Sequence, residues 1–161
     1  MAAFKKTIAE SDGVLIATPE YNHGIPGVLK NAPDWASRPV FESCFKHKPV
    51  SIISSSVAFT GGVRAQYQLR ETLISMHAHL VMGPEVVVGG IHTNLADDFY
   101  TDEKGLTFIL KSLGRLPTFW INFTQVFTCV ATVTRFEFLV IGELYAIKLT
   151  HSVGDCSLSS I

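Results

Sequence analysis

Two short segments rich in small, polar and aromatic side chains follow predicted buried strands, and they contain the residues that could do chemistry. The first, residues 18–24, follows the apolar run 14–17 and offers the Glu20 carboxylate, the aromatic face of Tyr21 and the Asn22 amide. The second, residues 54–62, follows the apolar stretch 49–54. Because ligands bind beyond the carboxyl ends of the strands in an open parallel sheet, we expect the two segments to lie side by side.

Each segment has a chemical and a purely structural interpretation, and the residues leave both open. A planar heterocycle could stack near Tyr21 while main-chain N–H groups satisfy its ring nitrogens and carbonyl oxygens. Alternatively, Tyr21 covers the core and Asn22 forms a turn. Gly61 and Gly62 permit close approach of the backbone to a bound group, or they form an ordinary helix entrance. The second segment matches neither a Walker loop nor a dinucleotide fingerprint.

Other reactive residue types lack a productive spacing. His77 and His79 lie two apart on a predicted helix and therefore point away from each other, which argues against a metal site built from both. His23 could contact a ligand or be solvated. The sequence contains no GxSxG or HExxH motif and no paired Cys–His pattern, so hydrolase and metalloenzyme functions have no support.

Composition and charge narrow the class of partner. Among 161 residues, 13 are basic and 14 acidic, which gives no electrostatic footprint for nucleic acid or an anionic membrane and favours small-molecule or protein partners. Cys44, Cys129 and Cys156 fit free thiols in a reducing compartment, and the N-terminal residues lack an apolar signal core. We therefore expect a cytoplasmic protein.

Hydrophobic periodicity predicts three strand–loop–helix units and hence an open α/β fold with a parallel sheet. A first helix should end near Ser11, with Gly13 as its left-handed cap. The predicted strands are 14–17, 49–54 and 85–89, and the predicted helices are 26–37, with Pro26 in the first turn, 63 to about 80, and 104–113.

The last third of the chain does not continue this alternation of strands and helices. Residues 116–134 contain no charged side chain, but threonines, Asn122 and Gln125 interrupt them too often for a membrane helix. We expect one or two strands within 123–148 and a disordered end at 152–161. This divides the chain into a domain of residues 1–114 and a tail of residues 115–161. The tail could lie on or in a membrane, or it could supply strands for an exposed sheet edge.

Several motifs in order resemble the NADPH-dependent FMN reductase family, a flavodoxin-like group that includes bacterial quinone, azo-dye and chromate reductases. The resemblance covers roughly residues 3–113. The motifs are DGV at 12–14, TPEYN at 18–22, the segment 26–39 with LKNA and DWASRP, KPV at 48–50, GG at 61–62, RAQY at 64–67 with LR at 69–70, and PE at 84–85.

The resemblance implies a flavoenzyme that takes hydride from NAD(P)H onto FMN and passes electrons to a quinone, a free flavin or a similar acceptor. It implies that Pro19, Glu20, Tyr21 and Asn22 line the isoalloxazine ring and that Ser56 also contacts the flavin. Because the chemistry belongs to the cofactor, no protein acid or base is required, and we assign no catalytic side chain.

The resemblance also implies a homo-oligomer, with Arg64, Tyr67 and Glu85 in a network between subunits; the alternative is a solvated helix face and one loop carboxylate.

The sequence departs from the family pattern in four ways. The family begins with a strand and a glycine- and serine-rich loop for the FMN phosphate, and this chain starts after that point. His23 stands where an aromatic residue is common, Ala58 where glycine is usual, and Pro33 where an apolar residue continues a helix. The second hypothesis is therefore a non-catalytic remnant that pairs with full-length relatives without binding FMN.

Overall fold

The computed structural model describes residues 2–96, 99–113, 115, 136–141 and 144–149. The helices are α1 (Ala2–Glu10), α2 (Gly27–Ala36), α3 (Val63–Ser75) and α4 (Glu103–Leu113), and Ile91–Thr93 is a short 3-10 turn. The strands are β1 (Gly13–Pro19), β2 (Pro49–Ser55), β3 (His79–Leu80), β4 (Val86–Val88), β5 (Leu95–Ala96), β6 (Phe99–Tyr100), β7 (Phe136–Ile141) and β8 (Leu144–Leu149). Each strand and helix predicted up to residue 113 is present in the predicted order, and the structure adds the short strands β3, β5 and β6 and the 3-10 turn, which the sequence did not predict.

A parallel sheet built on β1 and β2 forms the centre of the fold. These strands pair in parallel from Val14 opposite Val50 to Pro19 opposite Ser55. Both β3 and β4 pair in parallel with β2, β3 along its first two residues and β4 along its last three. The carboxyl ends of β1, β2 and β4 therefore meet at one edge, as predicted for an open α/β sheet.

The opposite side of β1 is covered by the tail. Strand β8 runs antiparallel to β1, with Gly13 opposite Ile147 and Ile16 opposite Leu144, and β7 pairs antiparallel with β8. An unpaired strand edge would present a row of free N–H and C=O groups, and this pairing satisfies them. The prediction that the tail supplies strands for the sheet edge is confirmed for these residues, whereas 116–135 and 150–161 lie outside the described part.

The end of α1 and the start of α2 differ from their predictions. Gly13 is not a left-handed cap: Ser11 closes α1 by donating its N–H to the Thr7 carbonyl and its hydroxyl to the Ile8 carbonyl, and Gly13 already belongs to β1. At the start of α2, Pro26 is the capping residue, with φ −55° and ψ 143°, so the helix begins one residue later than predicted.

Helix α3 ends at Ser75 rather than near residue 80. His77 adopts a left-handed φ of 59° and donates its N–H to the Ile74 carbonyl, while Ala78 donates to the Leu73 carbonyl, which together form a Schellman motif. The chain then enters β3. Leu80 packs against the core from that strand, so the apolar spacing that predicted a longer helix reflects a change of element.

Pro33 lies inside α2 and is fully buried. Proline has no N–H to donate to the Leu29 carbonyl one turn earlier, which is the usual cost of a proline within a helix. The helix nevertheless continues to Ala36, and the Ser37 N–H donates to the Pro33 carbonyl over 2.8 Å. Burial of the pyrrolidine ring in the core offsets part of that cost.

The core lies between the sheet and the flanking helices. Its buried apolar side chains come from α1, α2, α3, β1, β2 and the segments that connect them, and they include Ile8, Val14, Ile16, Leu29, Phe45, Val50, Ile52, Leu69 and Leu73. Within the described ranges, no helix is long and apolar enough to cross a membrane.

Candidate functional site

The segment after β1 forms a tight two-residue turn. The Tyr21 N–H donates to the Gly24 carbonyl over 2.9 Å, and the Gly24 N–H donates to the Tyr21 carbonyl over 3.0 Å. Asn22 and His23 at the tip have φ angles of 50° and 67°, the left-handed pair of a type I′ turn. Tyr21 is 61% exposed, so the interpretation in which it covers the core is wrong, whereas the turn at Asn22 is confirmed.

The segment after β2 is anchored to β4. The Ser56 N–H donates to the Val88 carbonyl over 3.0 Å, and the Ser56 carbonyl accepts from the Ile91 N–H over 3.2 Å. The Ser56 hydroxyl oxygen accepts from the Ala58 N–H over 3.1 Å. Because that contact uses the oxygen as an acceptor, the hydroxyl proton is left to donate to a ligand.

The two glycines at the start of α3 allow protein backbone to approach closely. Gly61 and Gly62 have φ angles of 60° and 84°. A Cβ at Gly61 would lie 2.9 Å from atoms of Val87, and one at Gly62 would lie 3.0 Å from the Ser54 Cβ. The helix entrance therefore fits tightly against β2 and β4, which is the structural interpretation of these glycines.

An ion pair joins the first segment to α3. The Glu20 carboxylate accepts from the Arg64 N–H over 3.0 Å and from Arg64 Nη1 over 2.9 Å. The Glu20 side chain is 7% exposed and the Arg64 side chain 48% exposed. Burial acts to raise the pKa of Glu20, but hydrogen bonds from the Arg64 side chain and from the backbone N–H groups of Arg64 and Ala65 outweigh it and lower that pKa. Glu20 thus acts as an anionic cap of the α3 N-terminus.

A buried amide joins the second segment to the same helix. Gln66 is completely buried, and its Nε2 donates to the Ser54 hydroxyl over 3.0 Å and to the Val86 carbonyl over 2.8 Å. The Ser54 hydroxyl donates in turn to the Gly61 carbonyl over 2.7 Å. This chain of bonds fixes α3, β4 and the end of β2 relative to one another.

A second glutamine, one turn beyond Arg64, contacts the residue that follows the first segment. Gln68 Oε1 accepts from the Ile25 N–H over 2.8 Å. Sequence reasoning missed both Gln66 and Gln68. The position of Gln66 in the sequence indicates a buried polar contact, because Gln66 lies three residues before Leu69 and seven before Leu73 on the apolar stripe of α3. A polar side chain on such a stripe needs a buried partner.

The predicted site residues are brought together at one edge of the sheet. Pro19 and Ser56 are half-buried near the ends of adjacent strands, with Pro19 in register with Ser55. Tyr21 and Asn22 are exposed beside them. The expected adjacency of the two segments is confirmed, and the assignment of these residues to a cofactor stays a prediction.

The fold and the position of this site define an open α/β protein of flavodoxin-like type, with its candidate site at the carboxyl edge of a parallel sheet. In the solved structures, the flavoenzyme NAD(P)H:(acceptor) oxidoreductase FerB from Paracoccus denitrificans superposes with a TM-score of 0.64 at 34% identity, covering 72% of this chain and 65% of that one. An oxidoreductase from Corynebacterium diphtheriae shares the fold, with a TM-score of 0.52 at 20% identity, over 71% of this chain and 58% of that one.

The sequence model of the NADPH-dependent FMN reductase family matches residues 1–93. The chain belongs to this family. It is 40% identical over 120 residues to an NAD(P)H-dependent FMN reductase of Pseudomonas aeruginosa, covering 74% of this chain and 64% of the relative. It is 49% identical over 86 residues to a 2-hydroxy-1,4-benzoquinone reductase of a Burkholderia species, covering 53% and 47%. The chain thus spans about half to two thirds of the length of these relatives.

Replacing Gln66 tests the buried amide. We expect Gln66→Met to lower the free energy of unfolding by about 2–3 kcal/mol, because the buried Val86 carbonyl and the Ser54 hydroxyl lose their donor. Urea denaturation measures the change. Glu71→Gln, on the exposed part of α3, is the matched control and should stay within about 0.5 kcal/mol of the parent. A Gln66→Met midpoint equal to that of the control would contradict the role of this amide.

The charge of Glu20 should contribute to stability in a pH-dependent way. Its folded pKa lies below the usual 4.5, so its contribution is fully present above the unfolded pKa and is lost as the pH falls through the folded pKa. We expect Glu20→Gln to be about 1 kcal/mol less stable than the parent at pH 7, discounted for the exposed Arg64 partner. The difference should shrink below pH 4.5 in urea denaturation curves, whereas a pH-independent difference would show that the carboxylate charge is not its source.

Proposed function

We propose that this chain is an NAD(P)H-dependent flavin oxidoreductase that binds FMN at the carboxyl edge of the sheet and passes electrons to a quinone, a flavin or a similar small acceptor. The observation that carries the proposal is the exposed ring of Tyr21, which the type I′ turn holds beside the end of β2. Membership in the FMN reductase family and the reductase names of its relatives support the same chemistry. The proposed compartment is the cytoplasm.

The residues of the two segments suit the ring of a flavin. Tyr21 supplies a flat face for an aromatic heterocycle, and the amide of Asn22 can pair with ring nitrogens and carbonyl oxygens. Ser56 retains a hydroxyl proton to donate. Pro19 fixes the direction in which the chain leaves β1.

Glu20 acts as a positioning residue in this proposal. Its carboxylate is occupied by Arg64, so it holds the turn against α3 and thereby sets the place of Tyr21. When bound, FMN would supply the hydride-accepting and electron-transferring chemistry. The protein's part is to orient the ring and leave one face open, which agrees with the absence of an acid–base motif in the sequence.

Titration of the purified chain with FMN tests the proposal, with quenching of flavin fluorescence as the readout. Binding followed by NADPH oxidation in the presence of a quinone is the expected result. Binding without turnover would limit the proposal to a flavin-binding protein. Absence of binding, combined with co-elution with a full-length relative on size exclusion, would replace it with the non-catalytic pairing hypothesis.

Tyr21→Ala should separate a flavin role from a structural one. Because Tyr21 is exposed, its removal leaves the core intact, and we expect an unchanged unfolding midpoint but an FMN dissociation constant raised about tenfold by the loss of aromatic stacking. Phe108→Ala, which removes an exposed ring on α4, is the control and should leave FMN affinity unchanged. Equal affinities for the parent and Tyr21→Ala would remove Tyr21 from the site.

We also propose that the chain forms a homo-oligomer through the exposed side of α3. Tyr67 and Ile74 lie two turns apart on this helix and are 55% and 60% exposed, and Trp35 on the neighbouring α2 is 52% exposed. Aromatic residues and arginine are enriched at interfaces. Arg64 lies one turn before Tyr67 but is paired with Glu20 within the chain, and Glu85 is half-buried before β4.

Tyr67→Glu should dissociate such an oligomer, because a carboxylate placed in an apolar contact loses solvation without gaining a partner. Sedimentation velocity of the parent and the variant measures the change, with Glu71→Gln on the same helix as the control. The expected result is an oligomeric parent and a monomeric Tyr67→Glu. A monomeric parent would rule out this interface at the concentration used.

A further inference from the structure

Two histidines face each other at the end of the sheet opposite the candidate flavin site. His47 lies two residues before β2, and His79 opens β3. His47 Nδ1 and His79 Nε2 are 3.3 Å apart, and both residues are exposed. Because these strands are parallel and the flavin site lies at their carboxyl ends, this pair belongs to the amino-terminal edge.

Hydrogen bonds fix the backbone from which both rings extend. His47 adopts a left-handed φ of 61° and donates its N–H to the His77 carbonyl over 2.8 Å. His79 donates its N–H to the Lys48 carbonyl over 2.9 Å and pairs in register with Pro49. Two backbone hydrogen bonds therefore place the two histidines so that their side chains meet.

The separation of the two nitrogens matches the bite of a tetrahedral metal ion. Two imidazole nitrogens, each about 2.05 Å from a tetrahedral zinc ion, lie about 3.3 Å apart, whereas a square-planar ion would bring adjacent nitrogens to about 2.9 Å. The observed 3.3 Å agrees with the tetrahedral value.

The separation of the ring centres supports the same geometry independently. With each centroid about 1.15 Å behind its nitrogen, rings radiating from one tetrahedral ion have centroids about 5.2 Å apart, while rings joined by a straight N–H···N bond of this length have them about 5.6 Å apart. The observed centroid distance is 5.1 Å, with the rings tilted by 59°. The two rings are therefore bent away from a straight N–H···N alignment, by the amount that two ligands of one tetrahedral ion would show.

One of the two lysines adjacent to His47 in the sequence, Lys48, is turned away from the imidazole pair. Lys48 donates its ammonium to the carbonyls of Ala9 and Ser11 at the end of α1. Burial lowers the pKa of Lys48, and the nearby Asp12 charge acts in the opposite direction. The ammonium thus serves the packing of α1 and does not occupy the space between the imidazoles.

We infer that His47 and His79 form a binding site for a divalent transition-metal ion of tetrahedral preference, zinc(II) above all, with water in the remaining positions. Within the described ranges no group of three or more histidine, cysteine or acidic side chains converges, so two of the described side chains ligate the ion, and a site with so few ligands exchanges it readily. A bound ion connects β3 to the residues just before β2 and thereby stabilises the end of α3. The sequence argued only against a metal site built from both His77 and His79, which were predicted to lie two apart on a helix, and it did not pair His79 with His47.

Zinc titration of the full chain, monitored by isothermal calorimetry and by thermal unfolding, tests this site. At a zinc concentration about a hundredfold above the dissociation constant, we expect the melting temperature to rise by about 5 °C, whereas equal magnesium should have no effect because imidazole is a poor ligand for it. His47→Asn and His79→Gln should each remove one bound zinc per chain and abolish the rise. Asparagine is chosen at 47 because it tolerates the left-handed conformation.

His77→Asn is the matched control, because it also replaces a histidine at a left-handed position while leaving the pair intact. It should retain the full zinc response, as should His92→Gln on the exposed 3-10 turn. Zinc stoichiometry that is unchanged in both His47→Asn and His79→Gln, or lost equally in the controls, would overturn the site. Because no readout uses flavin or NADPH, the result is independent of the proposed oxidoreductase activity.

Discussion

The side-chain amide of Gln66 is the contact on which the arrangement of the candidate site depends. It is completely buried, and it joins helix α3 to the Ser54 hydroxyl at the end of β2 and to the Val86 carbonyl at the start of β4. A buried amide without partners is costly, so the helix, the two strands and the glycine entrance can coexist in only one relative position. The place at which the second segment leaves the sheet follows from that position.

Helix α3 positions the two segments through polar side chains that lie on either side of its apolar stripe. Arg64 and Gln68, four residues apart, contact the first segment and the residue that follows it, through Glu20 and the Ile25 N–H, while Gln66 faces the second segment. Ala65, Leu69 and Leu73 on the apolar stripe fill the core. One helix therefore sets the distance between the two segments, and the exposed side chains on them, Tyr21 above all, need no contacts of their own to be positioned.

The carboxyl and amino edges of the parallel strands present different kinds of side chain. The carboxyl edge presents an aromatic ring, an amide and a hydroxyl, which suit a planar, hydrogen-bonding ligand. The amino edge presents the imidazoles of His47, just before β2, and of His79, in β3, which suit a metal ion. Both derive their geometry from β2, whose hydrogen bonds to β1, β3 and β4 make it the most constrained strand of the described sheet.

How much could be predicted from the sequence varies with the physical range of the interactions. Apolar runs and 3.6-residue spacing located β1, β2, β4 and the main helices, because a strand or helix that buries one face has a local periodic pattern of apolar residues. The same spacing placed the end of α3 too late, since Leu80 satisfies the core from a strand as well as it would from a helix. The Glu20–Arg64 pair and the Ile25–Gln68 bond join residues more than 40 positions apart, and no local pattern specifies them.

The sequence by itself determined the family, through its motifs. It also determined the α/β architecture and the neighbouring positions of the two loop segments, because the order of elements and the rule for carboxyl ends fix these without side-chain detail. Tertiary structure alone decided that Tyr21 faces solvent, that Glu20 caps α3, that the tail strands cover β1 and that His47 meets His79. Each of these depends on a contact between distant segments, whose partners become neighbours only when the core has packed.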